Sequence, residues 1–239
     1  MDKVEKPNII TRINQSLYQH FDGKVASGPF AGMLHVGDKL KGAGALSPKL
    51  IGCYEEELHP VVKGLIEKPY TTIINIGCGE GYYAIGLALM LTNTQIYAFD
   101  KNPKAINTCK EMAALNSISD RVEFSTICDT SVLNELAGPE ALIFMDCEGC
   151  ERDLLNLEKV PNLIACDILV ELHDYIHSGI SDIIKKRFSS SHETEVILSR
   201  KRNPDDYPEI NHLSWEEQCY ALTEFRPDVM EWFYLTAKR

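Results

Sequence analysis

From Thr71 onward the chain alternates strand-like and helix-like segments at a regular beat, and this alternation is what most narrows the fold. Thr72 to Ile76 is a short β-branched run, followed by glycines and the apolar helical stretch Tyr83 to Leu91. Gln95 to Phe99 reads as the next strand. Asn102-Pro103 then opens a helix as cap and first residue, with Ile106, Cys109 and Ala113 on its buried face. Arg121 to Ile127, Ala141 to Met145 and Leu163 to Val170 are predicted as strands three to five, and a helix is predicted over Ile180 to Phe188. A strand at Glu195 to Leu198, a helix near Trp215 to Thr223 and a strand at Glu231 to Leu235 end the series. Such alternation predicts an α/β, Rossmann-like fold: a mostly parallel sheet covered by helices on both faces, with ligands at the carboxyl ends of its strands. The last two strand signals predict an antiparallel hairpin, placing an antiparallel C-terminal strand at one sheet edge.

The sharpest local signal is Ile73-Ile74-Asn75-Ile76-Gly77-Cys78-Gly79-Glu80-Gly81-Tyr82, a buried strand entering a G-x-G-x-G turn. Glycines suit a tight turn whose backbone a ligand must approach closely. A dinucleotide site would want a further glycine where Tyr82 stands. S-adenosylmethionine (SAM) has no phosphate, and Gly77, Gly79 and Gly81 suffice to bind it. Asp100, nineteen residues past Gly81, closes the next strand, where a carboxylate can accept from both ribose hydroxyls. Cys128-Asp129 ends the third strand, where adenine is expected, and Asp129 is read as an acceptor for the adenine amino group.

Three acids crowd the end of the fourth strand in Met145-Asp146-Cys147-Glu148-Gly149-Cys150-Glu151. Glu151 suits the first turn of a following helix. Asp146 is less easily dismissed, because a charge at a core strand end needs a partner, and it is expected to face the cofactor. This run resembles the D-x-E-G-x-E signature of the FkbM-like methyltransferases, and Leu169-Val170-Glu171-Leu172-His173 resembles that family's fifth-strand ending. Pro48 to Leu58 is similar to the segment before the glycine turn in some members. The resemblance spans roughly Tyr54 to Tyr175. It implies a class I methyltransferase fold and SAM-dependent methyl transfer to a hydroxyl oxygen of a sugar, glycan or other small molecule. Asn75 departs from the aspartate frequent at that place, and the cysteine pair is not a family hallmark.

For the chemistry, His173, Asp146 and Glu148 are the catalytic candidates, with His173 the base suited to neutral pH. Asp146, Glu148, Glu171 and Asp174 also offer oxygen ligands for magnesium, with Asp146, Glu171 and Asp174 the preferred set. No Asn-Pro-Pro-Tyr or Asp-Pro-Pro-Tyr follows the fourth strand, which argues against base-amino methylation, and no Pro-Cys pair exists for cytosine carbon methylation. Two other readings stand beside this one: an NAD-dependent oxidoreductase, and a non-catalytic SAM-fold interaction subunit. Asp146, Glu148, Glu171 and His173 weigh against the second.

A chain of 239 residues with 44% hydrophobic residues supports one core plus an extension. We read residues 1–53 as an N-terminal extension or lid and 54–239 as the methyltransferase domain. The extension holds a helical pattern at Ile9, Ile10, Ile13 and Leu17, then Gly23, Gly28, Gly32, Gly37, Gly42 and Gly44 as a loop-rich stretch that could cover a site or form a homodimer contact. Tyr54, Leu58, Val61, Val62 and Leu65 predict a helix bent at Pro60. The net charge of −11 opposes nucleic acid as a partner, despite the basic strips at Lys185 to Arg187 and Arg200 to Arg202. No run approaches the roughly 20 apolar residues of a membrane span, and residues 1–11 lack a signal peptide's apolar centre. A cytoplasmic protein is expected. The eight cysteines fit free thiols of a reducing compartment. Cys147 and Cys150 match a C-x-x-C pair but lack second zinc ligands, and we read them as small non-catalytic hydrophobes.

Overall fold

A computed structural model of the chain describes residues 8–39 and 45–238; Gly42 and Gly44 fall outside the described residues. α1 (Ile9–His20), α2 (Leu46–Ile51) and α3 (His59–Gly64) precede β1 (Thr72–Ile76). The alternation then runs α4 (Tyr82–Met90), β2 (Gln95–Phe99), α5 (Pro103–Leu115), β3 (Val122–Ser125), α6 (Thr130–Leu136), β4 (Ala141–Met145), α7 (Glu151–Leu154) and β5 (Asp167–Leu172). It closes with α8 (Ile180–Phe188), β6 (His192–Leu198), α9 (Trp215–Ala221) and β7 (Glu231–Ala237).

The strands form one seven-stranded sheet in the order β3-β2-β1-β4-β5-β7-β6, parallel except that β7 runs antiparallel to both β5 and β6. The expected hairpin is present at the edge, and its C-terminal strand is the inner member, held between β5 and β6. Strand order reverses between β1 and β4, and the crevice at their carboxyl ends is where such sheets bind ligands. The period of two divides each strand between two cores. Ile73, Leu142 and Phe144 pack toward α4 and α5, while Ile74, Ile143 and Met145 pack toward the α8 face.

Residues 8–39 and 45–53 belong to the packed structure. Ile13, Leu17, Leu46, Leu50 and Ile51 form a third cluster with Tyr207, Ile210 and Leu222, and Val25, Phe30 and Met33 join the core beside α4. After the glycine stretch, α2 is a helix, ended by Gly52 in left-handed conformation.

The clearest differences from expectation are two. The bent helix over 54–65 is instead a 3₁₀ turn at Glu56–Leu58, α3 and a second 3₁₀ turn at Leu65–Glu67. Pro60 sits in the first turn of α3, where its missing N–H costs nothing. The fifth strand starts at Asp167 because Pro161 begins a 3₁₀ turn over Pro161–Ala165. Apolar content alone could not separate that turn from strand, and the acid Asp167 masked the true start. Asp167 is tolerated inside because Lys68 (2.8 Å) and Tyr70 (2.5 Å) bind it. No helix among the described residues is long and apolar enough to cross a membrane.

Candidate active site

The glycine turn is built as much by the sheet as for a ligand. A Cβ on Gly77 (φ +84°) would lie 1.6 Å from the Asp146 carbonyl oxygen, and one on Gly81 (φ +101°) 2.7 Å from the Cys109 sulfur. Those glycines therefore let β1 approach β4 and let the turn pack on α5. The Gly79 N–H donates to Asp100 Oδ2 (2.9 Å), and Asp100 Oδ1 accepts from Asn102 N (2.8 Å). The carboxylate thus ties the end of β2 to the turn while staying part-exposed beside it.

Above the turn lies a cavity of about 830 Å³ that brings Gly77, Gly79, Asp100, Cys128, Asp146, Glu148, Glu171 and His173 onto one wall system. Asp129 is not part of that lining. Its Oδ1 accepts from Ser131 N and Val132 N, both at 2.9 Å, so it caps α6, correcting the adenine assignment. Glu148 is exposed on a left-handed turn (φ +51°) at the rim.

The centre of the cavity floor is an ionic cluster of four residues contributed by three segments. His173 is buried; its Nδ1 lies 2.6 Å from Glu151 Oε1, and its Nε2 lies 3.4 Å from both Asp146 Oδ1 and Glu171 Oε2. Burial alone would lower the imidazole pKa, but hydrogen bonds to Glu151 and Glu171 and the charge of Asp146 lift it to about 10. His173 is therefore an imidazolium at neutral pH, with no free nitrogen to accept a proton, and the expectation of a histidine base is corrected. Burial, then the facing Glu171 and Glu55, push the Asp146 carboxyl well above the ordinary range. Asp146 keeps 33% of its side chain open, so it is reachable from the cavity.

Asp174 is the third correction. Its oxygens accept from Gly179 N (2.8 Å) and Ser181 N (3.1 Å) ahead of and within α8, so it is turned away from the cluster. The group able to surround an ion is Asp146, Glu171 and His173, whose candidate atoms lie within 4.8 Å of one another. That donor set, with an imidazole among its three groups, does not fit magnesium, which demands near-octahedral oxygen ligation. The imidazolium itself supplies the cationic charge among these carboxylates.

Sequence reasoning missed four participants. Arg226, in the segment before β7, pairs with Glu55 and Glu171 and binds Glu224 at 2.8 Å. Burial raises Glu55 to about 7, against the opposing pull of Arg226. Lys49 of α2 is buried, pairs with Glu80 in the glycine turn and stands 4.7 Å over the Tyr54 ring. Burial opposes ionisation of Glu80, but Lys49 and His35 overcome it and hold its carboxyl down to about 2. The two halves of these pairs lie far apart in sequence, so the Pro48 to Leu58 stretch and the glycine turn did not show which residues pair.

Comparison with known proteins agrees with this architecture. Residues 67–136 match a family described as a methyltransferase domain. A stretch of 114 residues is 37% identical to the ribosomal protein L11 methyltransferase of Salmonella dublin, covering 42% of this chain and 39% of that protein. The Vibrio cholerae serotype O1 counterpart is 34% identical over 76 residues, 28% of this chain and 25% of its own. The chain thus spans well under half the length of these relatives. Among solved structures, a Klebsiella pneumoniae protein provisionally assigned as an O-methyltransferase superposes with a TM-score of 0.55 at 10% identity, over 98% of this chain and 93% of its own. The O-methyltransferase TomG of Streptomyces achromogenes, involved in tomaymycin synthesis and solved with SAM, gives 0.51 at 12% identity, over 98% and 92%. The chain has the class I, SAM-dependent methyltransferase fold. Its antiparallel β7 departs from the all-parallel continuation of dinucleotide-binding sheets.

Proposed function

We propose that this protein is a SAM-dependent methyltransferase whose acceptor is a hydroxyl oxygen of a sugar, glycan or other small molecule, in the manner of the FkbM-like enzymes. The observation that carries the reading is the Asp146–His173–Glu151–Glu171 cluster on the floor of the cavity that the glycine turn lines. It contains two positions of the D-x-E-G-x-E run and both acidic and basic groups from the end of β5.

The walls suit SAM. Asp100 stands where ribose hydroxyls would be received, and the half-buried Cys128 lines the adenine end. The zwitterionic amino-acid end of SAM matches the Lys49–Glu80 pair, cation to carboxylate and anion to ammonium. In the same wall Asn75 Oδ1 and the Tyr82 hydroxyl are buried without hydrogen-bond partners among the described residues, and such groups favour a polar ligand. When bound, SAM supplies an electrophilic methyl group.

The residues of the chain do the rest. Asp146 takes the proton from the acceptor hydroxyl, and its raised pKa makes it a stronger base than an exposed aspartate. His173 cannot compete for that proton and holds Asp146 and Glu171 in place. Arg226 fixes Glu171 from the other side. In-line placement of the acceptor oxygen can account for roughly 7–11 kcal/mol of barrier. Methyl-labelled SAM offered with sugars, phenols and a small basic protein tests the acceptor class. Label in an alkali-stable ether is expected, and label confined to protein amino groups would refute the oxygen assignment.

The Lys49 assignment has its own test, by calorimetry with two ligands. Lys49→Met should weaken SAM about tenfold or more, the worth of a charge-assisted hydrogen bond. Methylthioadenosine, which lacks the amino-acid end, should bind the variant and the parent alike. Equal losses for both ligands would remove Lys49 from the cofactor's amino-acid end.

A further inference from the structure

Cys147 and Cys150 are joined in a disulfide, whereas Cys53, Cys78, Cys109, Cys128, Cys166 and Cys219 are free thiols. This corrects the expectation that all cysteines are free, and neither bonded residue is buried: both are half-buried and line the cavity. The bond closes a ring with Cα atoms 5.7 Å apart and three positions of sequence separation. A ring so short removes little chain entropy, so its effect on global stability is small. Its effect on local geometry is not. The ring begins one residue after Asp146 and ends one residue before Glu151, both of which bind His173. Inside it, Glu148 (φ +51°) and Gly149 (φ +106°) are both left-handed, a conformation that costs a non-glycine residue energy unless the surroundings hold it. Gly149 N donates to Glu151 Oε1 at 3.2 Å, the oxygen that also meets His173 Nδ1. On its other side the ring touches the His173–His177 loop, because a Cβ on Gly149 would lie 3.2 Å from His177 Cδ2.

We propose that Cys147 and Cys150 are a redox-active pair that exchanges with a low-molecular-weight disulfide, and that the bonded form holds Asp146 and Glu151 on His173. The bonded pair is half-buried on the cavity wall, where a small thiol or disulfide can reach it, and accessible disulfides are the labile ones. Closure proceeds when one cysteine thiolate attacks a sulfur of the external disulfide and displaces one external thiolate. The second cysteine thiolate then attacks the protein sulfur of the mixed disulfide and releases the other. One S–S bond breaks and one forms, two electrons pass to the external pair, and the two cysteine protons end on the two released thiols. Reduction reverses each step and frees residues 147–150. The consequence for turnover rests on the methyltransferase reading; the exchange itself does not.

The test equilibrates the protein over graded ratios of reduced to oxidised glutathione. Alkylation with peptide mass analysis counts the pair, amide exchange follows residues 146–155 and 173–177, and methyl transfer is assayed in both end states. The pair is expected to open and close reversibly while the other six cysteines stay alkylatable. Amide exchange around Glu151 and His173 should rise at least tenfold on reduction, and turnover should fall about three- to tenfold. The double variant Cys147→Ser, Cys150→Ser should show the reduced pattern in every buffer. A pair that stays open at all ratios, or exchange rates identical in both states, overturns the proposal using the parent protein alone. Reversible closure in a protein that binds no SAM would instead sink the methyltransferase reading and leave the redox pair standing.

Discussion

Asp146→Asn should lower kcat by roughly 10²- to 10⁴-fold, the usual worth of a positioned base, while SAM affinity changes far less. The amide has the same shape and can still meet His173 and Glu171, but it cannot take a proton. The parent enzyme carries a second mark of this role in its pH profile. Burial, with Glu171 and Glu55 nearby, raises the Asp146 carboxyl. Its base form is therefore lost as pH falls through a value above the ordinary aspartate range, and kcat should fall on that acid limb. On the alkaline side the His173 imidazolium, at about 10, persists through neutrality and is lost only as pH rises past that value. Steady-state kinetics across pH, for parent and variant, check both limbs. An Asp146→Asn enzyme that retains more than a tenth of parental kcat would remove Asp146 from the proton path.

Gly77→Ala is expected to be the most damaging single-methyl change in the molecule. The added carbon would meet the Asp146 carbonyl at 1.6 Å, and the backbone there is left-handed (φ +84°). Overpacking costs about 1–3 kcal/mol, and a forced left-handed residue costs about 1–3 more. The sum of several kcal/mol should lower Tm by roughly 10 °C or more for a chain this long. Asp146 N also donates to Ile76 O at 2.9 Å, so moving the two strand ends apart would carry the Asp146 carboxylate with them. Gly138→Ala is the control, since nothing lies within 4 Å of its added carbon, and its Tm should hardly move. Equal melting of the two variants would contradict the close approach of β1 and β4.

The fold around the glycine turn was legible because its signals are local. A β-branched run, a glycine turn and an Asn-Pro helix start each occupy a few consecutive residues, and β1, β2 and β4 begin and end where those signals do. Asp129 shows where local reading needed one more step. Asp129-Thr130-Ser131 is as good a helix-start signature as an adenine acceptor, and capping of α6 is what the backbone required. The ionic cluster around His173 was legible only as an inventory of acids. Which of His173 and Asp174 faces the cavity depends on how the chain leaves β5, and the protonation of His173 depends on three carboxylates from three segments. The Arg226–Glu55 pair closes over 171 residues of sequence; Glu55 falls in the Pro48 to Leu58 resemblance, but Arg226 carries no periodic or motif signal.

The central claim is that the crevice over the Gly77–Gly81 turn is a SAM site, and calorimetric titration of SAM into the parent and Asp100→Ala tests it most directly. The account predicts one site per chain with micromolar Kd in the parent, and a loss of about 1.5–3 kcal/mol in the variant, the worth of hydrogen bonds to a charged acceptor. Because Asp100 also binds Gly79 N at 2.9 Å, a parallel melting curve separates lost ribose contacts from a loosened turn. Absence of SAM binding at millimolar ligand in the folded parent, or an unchanged Kd in folded Asp100→Ala, would contradict it.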